Sequence, residues 1–208
     1  MTGEDAGAPG PPPLPPRGFS SRRIAVEIHP VGEPLYRIHP ARFGALFFGP
    51  AEGAPPRGRW DAPDGCFRVC YLAERPFVAF AETFLRRPGA MVLEMEDLAE
   101  RAISAVRPLR DLRLGAMHGA GLHAAGATAA CCTGAYGVSR AWAAALHAHP
   151  ERVDGVRYRA RHDDGGFAVA LFDRGRDAVA ETATAGLADP SRRADLAALL
   201  DRYGVGLV

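Results

Sequence analysis

Two periodicities interrupt one another along this chain without settling into a repeating strand–helix–strand order, and that irregular interleaving constrains the fold most. Alternation of period two marks a strand with one buried face. It occurs at Ile24, Val26 and Ile28, over Leu35-Tyr36-Arg37-Ile38, and from Cys66 to Leu72, where Phe67, Val69 and Tyr71 share a face. Helical spacing follows at once. Pro76 suits a first helical turn, and Phe77, Phe80, Ala81, Phe84 and Leu85 form an apolar stripe with Glu82 at its border. The pattern then predicts a strand over 90–95, a short helix over 97–106, a strand over 109–114 and a helix over 136–147. Val156–Tyr158 and Phe167–Phe172 read as paired strands about the Asp163-Asp164-Gly165-Gly166 turn, and 193–203 as a last helix. The Gly/Ala-rich stretch 115–135 carries no assignable period. A regular βαβ cadence would indicate a doubly wound parallel sheet; its absence predicts an α+β fold, a mixed, twisted sheet with flanking helices.

Residues 1–20 form a separate region, a leader of Gly, Pro, Ala and acid that includes Pro11-Pro12-Pro13-Leu14-Pro15-Pro16. Its first 18 residues have too little apolar area to offset ordering entropy and are expected to contribute nothing to core or pocket. Residues 21–208 then make one domain of ordinary size. Twenty-five basic and 24 acidic side chains leave a net charge of +1, so no overall field holds nucleic acid or an anionic membrane. No apolar run approaches the roughly 18 residues of a membrane span, and the N-terminus lacks the basic start and apolar core of a signal peptide. A cytoplasmic location is expected.

The chemistry on offer is narrow, because the chain contains no Lys, Asn or Gln. That excludes Schiff-base lysines, a phosphate-loop lysine and a Cys-His-Asn triad. Arginine carries the cationic work, and its planar fork suits bidentate recognition of phosphate. The four cysteines, Cys66, Cys70, Cys131 and Cys132, contain no CxxC and read as small buried residues. Gly119, Gly121 and Gly126 miss the dinucleotide fingerprint by two positions and follow no clear strand. His147 and His149 lack a third ligand, so no metal is expected. Ser139 stands outside a Gly-x-Ser-x-Gly elbow.

Three segments carry a more specific signal: Leu35-Tyr36-Arg37; Arg57-Gly58-Arg59-Trp60 through Tyr71-Leu72-Ala73 to Glu82; and Trp142-Ala143 through Asp154-Gly155-Val156-Arg157-Tyr158-Arg159-Ala160-Arg161-His162. In this order they resemble the RES family, named for its arginine, glutamate and serine, and they span about residues 35–175. The resemblance implies a fold related to ADP-ribosyltransferases and a toxin paired with an Xre-type helix-turn-helix antitoxin. It also implies an enzyme that consumes NAD as substrate, some members using phosphate as co-substrate, with no resident cofactor. On the same grounds Arg37 and Arg59 occupy the arginine positions, Tyr71 the tyrosine position and Glu82 the glutamate position. A non-catalytic RES-fold binding protein and a macromolecular ADP-ribosyltransferase are the alternatives, and homo-oligomerisation is left open.

The chemistry suits these residue types. Cleaving the nicotinamide–ribose bond builds positive charge on the sugar, which a carboxylate beside the ribose stabilises. Arginines clamp pyrophosphate or phosphate, and a tyrosine bonds a ribose or flanks the nicotinamide. Arg37, Arg59, Tyr71 and Glu82 are therefore expected to converge on one pocket. The family serine falls, by this matching, on Ala160, which implies an enzyme weakened by the lost hydrogen bond, a pseudoenzyme that retains the pocket, or substitution of the hydroxyl by Ser139 or His162.

Overall fold

The computed structural model describes residues 11–51, 53–89 and 91–208. In chain order they form β1 (Val26–His29), β2 (Leu35–Pro40), β3 (Val69–Ala73), α1 (Pro76–Phe84), β4 (Val92–Leu93), α2 (Met95–Ala99), β5 (Arg101–Pro108), β6 (Leu112–Met117), α3 (Gly119–Ala125), α4 (Ala130–Thr133), α5 (Tyr136–Ala148), β7 (Gly155–Arg159), β8 (Phe167–Phe172), β9 (Val179–Gly186), α6 (Arg193–Tyr203) and β10 (Gly206–Leu207). Eight strands make one mixed sheet in the order β1-β6-β7-β8-β3-β2-β5-β9. Within it β6 and β7 run parallel, and every other neighbouring pair is antiparallel. β4 and β10 form a small parallel pair of their own. The fold is α+β, as the interleaved periods predict.

The sheet cannot be flat. Only Leu109, Arg110 and Asp111 separate β5 from β6, yet these strands stand second from opposite edges. Three linking residues reach at most about 14 Å, whereas the five strand spacings between them in a flat sheet need about 24 Å. The sheet therefore curls until its ends approach, and the curl creates two cores. One is packed by helices and includes Phe80, Trp142, Leu146, Val156 and Phe172. The other is closed by strands and the 41–48 loop, with Leu35, Cys70, Leu72, Val106, Leu112, Leu114, Val169 and Leu171 facing one another. β8 shows the partition residue by residue. Ala168, Ala170 and Phe172 enter the first core, and Val169 and Leu171 the second, which is why this strand is apolar throughout.

Four sequence expectations need correction, the first being the strand over 109–114, which instead runs from Leu112 to Met117. The helix over 97–106 is instead α2, which ends at Ala99, followed by the eight-residue strand β5. Leu98, Ala102 and Val106 do have helical spacing, but in the strand Ile103 serves the first core and Val106 the second, so the segment is buried on both faces. The strand over 90–95 shrinks to Val92–Leu93, with Ala90 outside the described residues. The leader joins the domain before residue 21. Residues 1–10 lie outside the described residues, but the Pro13 carbonyl accepts a hydrogen bond from the Trp142 indole N–H at 2.9 Å. The buried Phe19 ring packs edge-on against Trp142 at 5.2 Å. Among the described residues, no helix is long and apolar enough to cross a membrane.

His147 and His149, at the end of α5, are packing groups. His147 stacks on Phe67 at 4.2 Å and meets Phe172 edge-on, and His149 Nε2 lies 3.0 Å from the Arg22 carbonyl. Burial, with help from Arg174, pushes the His147 pKa down from 6.5 to about 4. A folded-state pKa below the unfolded one means that protonation favours unfolding, so this contribution is complete above about pH 6.5 and is lost as pH falls towards 4. Allowing for solvent screening at a half-exposed ring, its size is on the order of 1–2 kcal/mol. The melting temperature of the wild type should therefore fall between pH 6.5 and 4.5 more steeply than that of His147→Phe, which keeps the stack. Parallel pH profiles for the two proteins would assign the acid sensitivity to other groups.

Candidate active site

β3 runs almost directly into α1, and this local connection brings Tyr71 and Glu82 to the same cleft. The cleft has a volume of about 210 Å³ and is lined by Tyr36, Tyr71, Ala73, Glu82, Thr83, Arg86 and Tyr158, among others. Tyr36 and Tyr71 project from the sheet face that carries the helices, and Tyr158 arrives on the same face from β7.

The Tyr71 hydroxyl is committed to the loop before it. It donates to Asp61 Oδ1 at 2.8 Å and accepts from the Trp60 amide at 2.8 Å. Asp61, itself buried, uses Oδ2 to accept the amides of Arg57 and Gly58 at 2.8 and 2.6 Å. A tight turn from Arg57 to Asp61 is thereby fastened to β3. Only glycine fits at position 58, because an added Cβ would lie 2.1 Å from the Tyr71 hydroxyl oxygen. Burial, with the neighbouring Asp61, drives the Tyr71 pKa well above its usual value, so the hydroxyl remains a donor.

That turn aims Arg59 inward. Its Nη1 donates to the Gly134 carbonyl at 2.7 Å and to Ser139 Oγ at 3.1 Å, and its guanidinium lies 4.5 Å from the centre of the Tyr136 ring. Ser139 is fully buried and donates to the Cys131 carbonyl at 2.5 Å. Arg59 is 7% exposed, pairs with no carboxylate among the described residues, and leaves Nη2 buried without a partner. Burial lowers its pKa, and Arg161 adds to the effect. The guanidinium also sits against the first turn of α5, the positive end of that helix. An unpaired buried cation in that position is a donor set suited to an oxyanion.

Glu82 is anchored through one oxygen: Oε1 accepts the His162 amide at 2.9 Å. Its other oxygen has no hydrogen-bond partner among the described residues. Tyr158 lies between the glutamate and the arginine. Burial and then Glu82 raise its pKa, while Arg59 opposes them. Burial, partly offset by Glu82, lowers the His162 pKa. The arrangement sets a fixed carboxylate and two neutral phenols in the wall of one cleft; the buried guanidinium of Arg59, expected in the same pocket, is absent from that lining and is linked to it through Tyr158.

Two expected members stand apart. Arg37 borders the cleft, but its guanidinium is turned through to the opposite sheet face. There Nη1 donates to the Ala45 and Phe47 carbonyls at 2.6 and 3.0 Å and lies 3.1 Å from Cys70 Sγ. Side chains alternate along β2, and Tyr36, rather than Arg37, reaches the cleft side. Ala160 is buried in the helical core with its amide bonded to the Gly166 carbonyl, and it is absent from the cleft lining. The hydroxyl that meets Arg59 belongs to Ser139. Sequence reasoning also gave no role to Asp61, although it directly follows Arg59-Trp60, nor to Tyr158, which lies inside the third segment.

Residues 34–196 match the family model described as the RES domain. This chain belongs to the RES domain family. Its fold is also that of a solved structure, the M. tuberculosis MbcT–MbcA toxin–antitoxin complex, with a TM-score of 0.62 at 21% identity over 82% of this chain and 92% of that one. No curated protein matches. Within the RES domain the cleft lies where the curled sheet meets α1, and its arginine turn is held by Asp61.

Proposed function

We propose that this RES domain cleaves the nicotinamide–ribose bond of NAD and acts as the toxin of a toxin–antitoxin pair. The observation that carries the enzymatic reading is Glu82, fixed through one oxygen and free at the other, in a cleft that also contains Tyr158, whose hydroxyl feels both Glu82 and the buried Arg59 behind it. In the reaction the glycosidic C–N bond breaks, its electron pair leaves with neutral nicotinamide, and positive charge spreads over the ribose ring. The free Glu82 oxygen stabilises that charge. An oxygen of water or phosphate then bonds to the anomeric carbon, and its proton passes to solvent. Arg59, with Nη2 unpartnered, is the group that holds an incoming phosphate. The serine of the family pattern is supplied by Ser139, which fixes the Arg59 fork, so Ala160 gives no ground for a non-catalytic reading.

The likeness to a toxin–antitoxin complex supports an antitoxin as partner. The test is incubation of the purified chain with NAD, with and without phosphate, followed by chromatography of the products. Free nicotinamide with ADP-ribose indicates water as acceptor; nicotinamide with a phosphorylated ADP-ribose indicates phosphate. Intact NAD under both conditions would refute the enzymatic reading. Growth arrest on expression, relieved by a neighbouring helix-turn-helix protein, tests the pairing.

A further inference from the structure

The cleft beside Glu82 is small. Pockets that enclose a drug-sized ligand run from about 300 to 1,000 Å³, and 210 Å³ falls short of that. A second cavity of about 470 Å³ adjoins it, and the two share Thr83 and Arg86 as wall. The second cavity combines three kinds of group. Phe84, Val92 and Leu93 offer apolar surface, Arg86, Arg87 and Arg101 offer guanidinium groups, and Glu94 and Asp97 offer carboxylates. Arg86 stands at the junction with its Nε donated to the Glu82 carbonyl at 2.8 Å, which leaves both terminal nitrogens without a partner among the described residues. Arg87 and Arg101 likewise pair with no carboxylate there.

We propose that this second cavity binds the adenosine monophosphate half of the substrate, with Arg86 holding the bridging phosphates between the two cavities. The inference rests on the reading of the first cleft as the nicotinamide–ribose site. The chemistry of the wall matches the parts of a nucleotide. A purine covers the Phe84–Val92–Leu93 surface, carboxylates accept ribose hydroxyls, and guanidinium forks pair with phosphate oxygens. A ligand that needs both cavities is elongated, has its anionic groups in the middle, and carries an apolar ring at the far end. A dinucleotide has that form. Arg87 and Arg101, which line the second cavity and not the first, are thus specificity-determining residues that separate NAD from its mononucleotide.

Calorimetric titration of the full chain with AMP tests the cavity without requiring turnover. AMP should bind the wild type and bind Arg86→Ala and the Arg87→Ala/Arg101→Ala double variant at least about tenfold more weakly, since each lost charged hydrogen bond is worth that much. Arg86 and Arg87 are exposed and Arg101 is half-buried without a carboxylate partner among the described residues, so melting temperatures should shift by no more than a few degrees. In parallel, the KM for NAD should rise by a similar factor in both variants, with cleavage of nicotinamide mononucleotide unaffected in the Arg87→Ala/Arg101→Ala variant, whose two side chains lie outside the first cleft. Failure of AMP to bind the wild type, or equal affinity in all three proteins, overturns the proposal. A wild type that binds AMP but never releases nicotinamide would instead refute the NAD-cleaving reading and leave the nucleotide cavity standing.

Discussion

Glu82→Ala is expected to remove nicotinamide release almost completely while shifting the melting temperature by only a few degrees. The carboxylate is half-buried at the edge of α1, and its single anchoring bond is to the His162 amide. Losing a group placed where charge develops typically lowers the rate about 10²–10³-fold. Glu82→Gln separates charge from structure. A glutamine oxygen still accepts the His162 amide, so the fold around the turn is kept while the negative charge is gone. The expected result is a melting curve like that of the wild type with a rate within a few fold of the alanine variant. If the glutamine variant keeps more than a tenth of wild-type turnover, the carboxylate is not stabilising a cationic sugar and acts only by hydrogen bonding.

How much of this site could be read from the sequence depended on distance along the chain. Tyr71 and Glu82 were legible as neighbours because a strand runs into a helix whose stripe places Glu82 at the border. The contact between Arg59 and Ser139 joins residues 80 positions apart, and no local pattern encodes it. Without that contact, matching along the chain alone assigns the serine position to Ala160. The fold shows the same limit. α1, α5 and α6 have one apolar side and were predicted nearly to the residue. β5 is buried on both faces, so its apolar residues follow no strand period and its flanking Leu98 suggested a helix. β9 went unread because Ala, Thr and Glu dominate it and most of its residues are exposed. Its place in the sheet comes from pairing with β5 rather than from its own pattern.

The second large effect belongs to Asp61, which touches no substrate in the proposed reaction. Its two oxygens accept from three donors, the Arg57 and Gly58 amides and the Tyr71 hydroxyl, with the carboxylate itself buried and the donors partly so. Asp61→Ala leaves all three unpaired. Each buried unsatisfied donor costs about 1–3 kcal/mol, and partial relaxation of the turn brings the sum to about 3 kcal/mol. For a domain of this size that is a fall in melting temperature of roughly 6–12 °C. The turn that releases is the one that aims Arg59 at Gly134 and Ser139, so turnover should fall with stability. Tyr71→Phe then discriminates between two roles for the tyrosine. As a fastening for the turn, its loss frees one Asp61 oxygen and the Trp60 amide, costs about 1–2 kcal/mol and lowers kcat to a lesser degree than Asp61→Ala. As a group that acts on the ribose, its loss would lower kcat as severely as Glu82→Ala with no loss of stability. The geometry, with both hydrogen bonds of the hydroxyl spent on Trp60 and Asp61, predicts the first outcome.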